Sequence, residues 1–195
     1  MTAWMRTLGA SLVVLVPIAS FAQGSASLPS PPLSVTPASP EVYSPRPTTA
    51  TVPMRVEVLS ATSFVDVETR QLYRLYGIDA CDAGQTATLG KQSWPCGTVA
   101  TAWLVTATLN KWVACTTIRQ QDDVRLSRCA TGELSDIAGE MLKVGYAMTL
   151  PGAEDRLIPA YAQQERDARS AYRGLWASSF QMPWIFRQQH TAKAP

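Results

Sequence analysis

The sequence predicts an α+β fold, a five-stranded OB-fold β-barrel with three helices. Three observations carry that prediction. Five short runs rich in strand formers lie between positions 54 and 130, a helical pattern separates the third run from the fourth, and two further helical stretches follow the fifth. At 195 residues with 46% hydrophobic content, the chain can bury one full core, which makes one domain with tails. A net charge of +2 does not by itself argue for nucleic acid, and it leaves room for a local basic cleft.

The elements follow in order. Residues 1–22 read as an export signal: Arg6 gives the positive start, Leu8 to Ile18 the apolar run, and Ser20-Phe21-Ala22 the small-x-small cleavage site. A membrane anchor is the weaker reading, because the run is short and is broken by Pro17. The mature protein is therefore expected to be exported, periplasmic or secreted, with no membrane span after cleavage, and a monomer. Residues 23–53 are Pro, Ser, Thr and Ala with few large apolar side chains, too few to offset the entropy of ordering, so they read as a disordered linker.

The folded domain is expected over 54–187, with a tail at 188–195. Met54 to Leu59 alternates like a strand, Phe64 to Val67 follows a Ser/Ala/Thr turn, and Gln71 to Ile78 completes a three-stranded meander. After a loop to Gly97, a helix is expected from Thr98, as its N-cap, to about Asn110, with Val99, Ala102, Val105 or Thr106, and Leu109 on its apolar face. Trp112 to Ile118 and Arg125 to Ala130 form a hairpin across the polar turn at Gln120 to Asp123. Helices at Ser135 to Val144 and Pro159 to Arg173 are stopped by Gly145 and Gly174.

Four cysteines behind an export signal favour disulfides over metal, and no Cys-x-x-Cys or paired His argues for zinc. Four cysteines allow three pairings. Cys115 and Cys129 lie on strands of one hairpin, and Cys81 and Cys96 bracket the loop before the first helix, so local pairing is the most economical arrangement.

Chemistry concentrates in Arg74-Leu-Tyr-Gly-Ile-Asp-Ala-Cys-Asp82, where an apolar strand ends in two carboxylates. Arg74 and Asp79 would face opposite ways on a regular strand. A bend at Gly77 lets a guanidinium and two carboxylates share a cleft, a combination suited to holding a cation and a phosphate. Taken alone, the same residues are also an ordinary polar strand end.

Together with Gly145-Tyr-Ala and with Arg173-Gly-Leu-Trp176, this stretch resembles the thermonucleases, the staphylococcal-nuclease-like (SNase-like) family, from about Met54 to Trp176. The resemblance implies a five-stranded OB barrel with three helices and calcium-dependent hydrolysis of DNA and RNA. It matches Arg74 to Asp82 with the family's Arg-x-x-x-x-Asp-x-Pro-Glu. Asp79 is then a calcium ligand, Asp82 stands for the glutamate that handles the attacking water, and Arg74 grips the phosphate.

The chain departs from that pattern in several places. Asp82 is one methylene shorter than glutamate, and Cys81 replaces the proline before it. The family's Asp-Gly-Asp-Thr is replaced by Ser60-Ala-Thr-Ser63, which puts Thr62 where a carboxylate ligand belongs. The family's second arginine aligns with Val124, one residue short of Arg125, and a one-residue shift on a strand reverses the face. The resulting site set is Arg74, Asp82 and Arg125 for catalysis and Asp79 with Thr62 for metal, with Asp66 as a substitute carboxylate. Calcium is expected to bind weakly.

His190 reads as a solvated tail residue, and Trp103, Trp112, Trp176 and Trp184 as core anchors or a stacking platform. Three functional readings follow. The first is a catalytically impaired relative that binds nucleic acid or another anionic polymer. The others are an active calcium-dependent endonuclease with substituted ligands and an interaction module of the cell envelope.

Overall fold

The computed structural model describes residues 50–152 and 159–191. The export-signal reading, and the linker reading up to position 49, fall outside the described residues; at the linker's end Thr51 N donates to the Cys115 carbonyl at 2.8 Å. The described chain is α+β, in the order β1 (Val56–Ser60), β2 (Ser63–Asp66), β3 (Leu72–Leu75), β4 (Ile78–Asp79), β5 (Ala87–Leu89), β6 (Gln92–Trp94), α1 (Cys96–Thr108), β7 (Ala114–Gln121), β8 (Val124–Ala130), α2 (Ile137–Val144), β9 (Met148–Thr149), α3 (Pro159–Ser170), a 3-10 turn at Gly174–Ala177, β10 (Ser179–Phe180) and α4 (Pro183–Thr191).

The five strands expected from the sequence form one sheet, ordered β1-β2-β3-β8-β7. Its first three strands are the meander, β7 and β8 are the hairpin, and β3 joins β8 in parallel. Antiparallel bridges between Ala50 and Thr116 and between Met54 and Val113 tie the outer edge of β7 to the segment entering β1. The sheet thereby curls around a core in which Phe64, Leu75, Ile78, Leu104, Met141 and Leu142 are fully buried. Phe64 stacks on Tyr73 within it, at a centroid distance of 5.9 Å.

Both disulfides are the local pairs. Cys115 and Cys129 face each other directly across the β7–β8 hairpin, and Cys81 is bonded to Cys96. Facing positions on adjacent antiparallel strands bring the two Cα atoms within 4.1 Å here, close enough for the bond.

The structure corrects several boundaries. The loop before the first helix contains the hairpin β5–β6, turned at Gly90 with a left-handed φ of 61° and joined by β10. Its strands are three residues long and expose Thr88, Leu89, Gln92 and Ser93, so they carry no alternating apolar signal. Helix α1 starts at Cys96 behind Pro95, and Thr98 lies inside it, donating to the Ala83 carbonyl at 3.5 Å. The buried face of α1 is Ala100, Leu104 and Ala107, while Val105 and Leu109 are exposed. A helix of Ala, Thr, Val and Leu is apolar on two stripes, and the periodicity pointed to the wrong one. In α2 the N-cap is Asp136, which accepts from Gly139 N at 3.2 Å, and Gly145 closes the helix at φ 77°.

The largest addition is α4, which runs across the expected boundary at 187 and takes in His190. Pro183 at its first position is preset for helix entry. Trp184, with Trp176, Phe180 and Met182, packs on a small apolar cluster built on Cys81, Cys96, Met148 and Leu175. The His190 ring stacks on Phe186 at 3.9 Å, one helical turn back. Trp103 and Trp176 are likewise packed on apolar clusters, whereas Trp112 is 55% exposed beneath the Arg55 guanidinium.

Candidate functional site

The site forms where β3 breaks into β4. Tyr73 and Leu75 point into the core, which turns Arg74 outward. Gly77, at φ 76°, then bends the chain, so Asp79 returns to the side of Arg74 although a straight strand would separate them. Asp79 is 1% exposed, and its Oδ1 accepts from Ala80 N at 3.0 Å. Arg74 Nη2 lies 3.6 Å from Asp79 Oδ1, an ion pair rather than a hydrogen bond.

Thr62, in the turn between β1 and β2, enters from the next strand over, its carbonyl accepting from Leu75 N at 2.8 Å. These residues line a cleft of about 400 Å³ with Asp82, Val124 and Arg187. The structure therefore gathers Arg74, Asp79, Asp82 and Thr62 in one place.

It separates Arg125 and Asp66 from them. In the parallel β3–β8 register Leu72 stands beside Val124, Tyr73 beside Arg125, and Arg74 beside Leu126. Val124 and Leu126 line the cleft with Arg74, while Arg125 shares the opposite face with Tyr73, whose hydroxyl takes its Nη1 hydrogen bond at 3.2 Å. Strand parity thus turns Arg125, expected among the catalytic residues, away from the cleft that holds Arg74. Asp66 caps its own turn, accepting from Thr69 Oγ1 at 2.6 Å and Glu68 N at 3.0 Å. Both line a separate pocket with Gln71 and Tyr73.

Arg187, on α4, was not among the expected site residues. Its Nη2 donates to Asp79 Oδ2, its Nη1 lies 3.3 Å from Asp79 Oδ1, and the same Nη1 lies 3.2 Å from both Asp82 oxygens. One guanidinium thus bridges the two carboxylates, using the fork geometry that makes Arg–carboxylate pairs strong. The hydrogen bond to Asp79, offset in part by burial and reinforced by the charges of Asp79 and Asp82, holds Arg187 above its ordinary pKa.

Gln85 sets this approach. Fully buried, it accepts from Asp82 N at 3.2 Å and donates to the Gln181 carbonyl at 2.5 Å, tying the acidic loop to the residues that lead into α4. Nothing in local spacing marks Arg187, which is 108 residues from Asp79 in the chain. The one readable hint is a cation in an otherwise aromatic segment, Pro183-Trp-Ile-Phe-Arg187.

As they stand, the donors do not fit calcium. That ion takes about six to eight oxygen ligands, several of them charged. Three carboxylates line the cleft: Asp79 and Asp82, both engaged by Arg187, and the exposed Asp122 at its rim, with the neutral Thr62 beside them. Among the described residues no cluster of three His, Cys, Asp or Glu side chains is placed to hold a metal. No described helix is long and apolar enough to cross a membrane.

A search of curated proteins finds no match. The family model described as staphylococcal nuclease homologue matches residues 73–178, more than half of the 195-residue chain, from β3 through the 3-10 turn. The matched stretch contains Arg74, Asp79 and Asp82 and both disulfides, and it leaves out Thr62 and Arg187. By that match, and with a mixed sheet, helices and a cleft at the β3–β4 bend, the chain belongs to the staphylococcal nuclease homologue family.

Proposed function

We propose that this protein is an exported, metal-independent relative of the nucleases that binds nucleic acid, or another anionic polymer, without hydrolysing it. The observation that carries anion binding is a second cleft of about 470 Å³ adjoining the first, lined by three guanidinium groups, Arg74, Arg119 and Arg187, and by no carboxylate among its described residues. A backbone of phosphates is the chemistry that such a set fits best. Two disulfides suit an oxidising compartment, which supports export.

Impairment follows from what surrounds the matched residues. Hydrolysis at a phosphodiester needs charge stabilisation on the phosphoryl oxygens and an activated water. Here Val124 supplies no second cation from β8, Thr62 supplies no charge, and Asp82 is occupied by Arg187. The reading that favours a working endonuclease rests on Arg74, Asp79 and Asp82 sharing one cleft.

Fluorescence anisotropy with a labelled single-stranded oligonucleotide tests the proposal. Binding is expected in EDTA, with log K falling against log salt by about 0.7 for each phosphate neutralised, and Arg119→Ala should make that slope shallower. Binding that requires calcium, or no binding at low salt, would overturn it.

A further inference from the structure

We propose that Arg187 is the resident counter-ion of the Asp79–Asp82 pair, a cation tethered to α4 that takes the place of a divalent metal and keeps metal out of the cleft. This goes beyond polymer binding and stands on the ion-pair geometry alone.

Asp79 is almost wholly buried, and a buried carboxylate needs a close, hydrogen-bonded partner. Arg74, at 3.6 Å, is too far to serve alone. Arg187 reaches both oxygens of Asp79 and both of Asp82, and its side chain, 38% exposed, sits at the mouth of the cleft with Asp79 beneath it.

The guanidinium groups of Arg74 and Arg187 balance the charges of Asp79 and Asp82, leaving the exposed Asp122 at the rim as the one carboxylate beyond that balance among the lining residues. An added divalent ion would leave the cleft with an excess positive charge, and the Asp79–Asp82 pair with two, unless Arg187 withdrew. Thr62, where a third carboxylate would have called for more positive charge, is neutral, so the substitution and the arginine are electrostatically consistent. The arginine is held in place from two sides. Trp184, one helical turn before it, packs on the cluster around the Cys81–Cys96 bond, and Gln85 clamps Gln181 to the acidic loop.

Thermal melting of the full chain with and without millimolar calcium tests the assignment. Arg187→Gln is expected to melt about 10 °C below the parent, and calcium to recover much of that loss while leaving the parent unmoved. An Arg187→Gln protein that melts with the parent, a loss that calcium does not repair, or a parent stabilised by calcium as strongly as the variant would each overturn it.

If Arg187→Gln does not fold, Asp79→Asn is added to it. Removing the buried charge along with its counter-ion should bring folding back and return the melting temperature to within a few degrees of the parent. A double variant as damaged as the single one would show that Arg187 matters for packing and not for charge.

Discussion

Arg187 and Asp79 share two hydrogen bonds across 108 residues of sequence, and the same guanidinium lies 3.2 Å from both Asp82 oxygens. On the proposed function, a gain of hydrolysis requires removing a group as well as adding groups. The parent is expected to show no calcium-dependent cleavage of single-stranded DNA. Loss of a transition-state donor costs on the order of 10²- to 10³-fold, and loss of a phosphate-neutralising arginine about 10³- to 10⁵-fold. Thr62→Asp with Val124→Arg should stay near background while Arg187 bridges the carboxylates. Adding Arg187→Gln should raise calcium-dependent cleavage at least about tenfold over the double variant, measured by fluorogenic oligonucleotide hydrolysis. Ready cleavage by the parent, abolished by Asp79→Ala, would reverse this account of the site.

The Cys115–Cys129 bond crosses the hairpin beside the bridge between Met54 and Val113, three residues along β8 from Leu126, the neighbour of Arg74. Closing a loop of about 15 residues is worth roughly 3 kcal/mol in the chain-entropy model. Replacing both cysteines by Ala should lower unfolding free energy by about 2–4 kcal/mol in urea, with oligonucleotide affinity within about twofold. Peptide mapping without reduction should recover Cys81 with Cys96 and Cys115 with Cys129. A Cys81–Cys115 peptide would contradict the framework.

Alkaline pH has a specific target in Tyr161. Its hydroxyl is buried and donates to both Asp136 oxygens, at 2.7 and 2.8 Å. Burial first, and then the Asp136 charge, push its pKa well above the ordinary tyrosine range, against a smaller pull from Arg128. Above pH of about 10 the unfolded chain loses this proton while the folded chain keeps it, so the contribution to stability is complete below that pH and declines as pH rises. Urea midpoints measured from pH 8 to 11 should fall, and Tyr161→Phe should flatten the part of the slope due to this residue. An unchanged slope in the variant would assign the alkaline loss to other groups.

The sequence reading reached the five strands of the main sheet, most plainly β1 and β3, whose burial alternates residue by residue. It also reached the cysteine pairs, since both close short loops. The β5–β6 hairpin escaped because three-residue strands with exposed Thr and Gln leave no pattern to detect. The α1 face was misread because its two apolar stripes are alike in composition, and only packing against β1 and its neighbours chooses Leu104 over Leu109. In the site, Arg74, Asp79 and Asp82 could be seen because they are close in sequence. Arg187 could not, since its role comes from where α4 docks, and docking depends on Trp184 and Gln85 rather than on any spacing from Asp79.

The two halves of the Asp79–Arg187 contact rest on ground of very different firmness. Residues 78–81 are buried, Cys81 is bonded to the start of α1, and Gly97 lies so close beneath Asp82 that a Cβ there would fall 1.7 Å from its carbonyl oxygen. In α4, by contrast, only Pro183 of the residues with described burial is fully covered. Local opening costs least where few apolar contacts resist it. Amide hydrogens of the acidic loop should therefore exchange near the slowest rates in the domain, and those of α4 much faster. A solute therefore reaches Asp79 when the half-exposed Arg187 side chain swings aside or when α4 lifts and carries it away from a platform that stays in place.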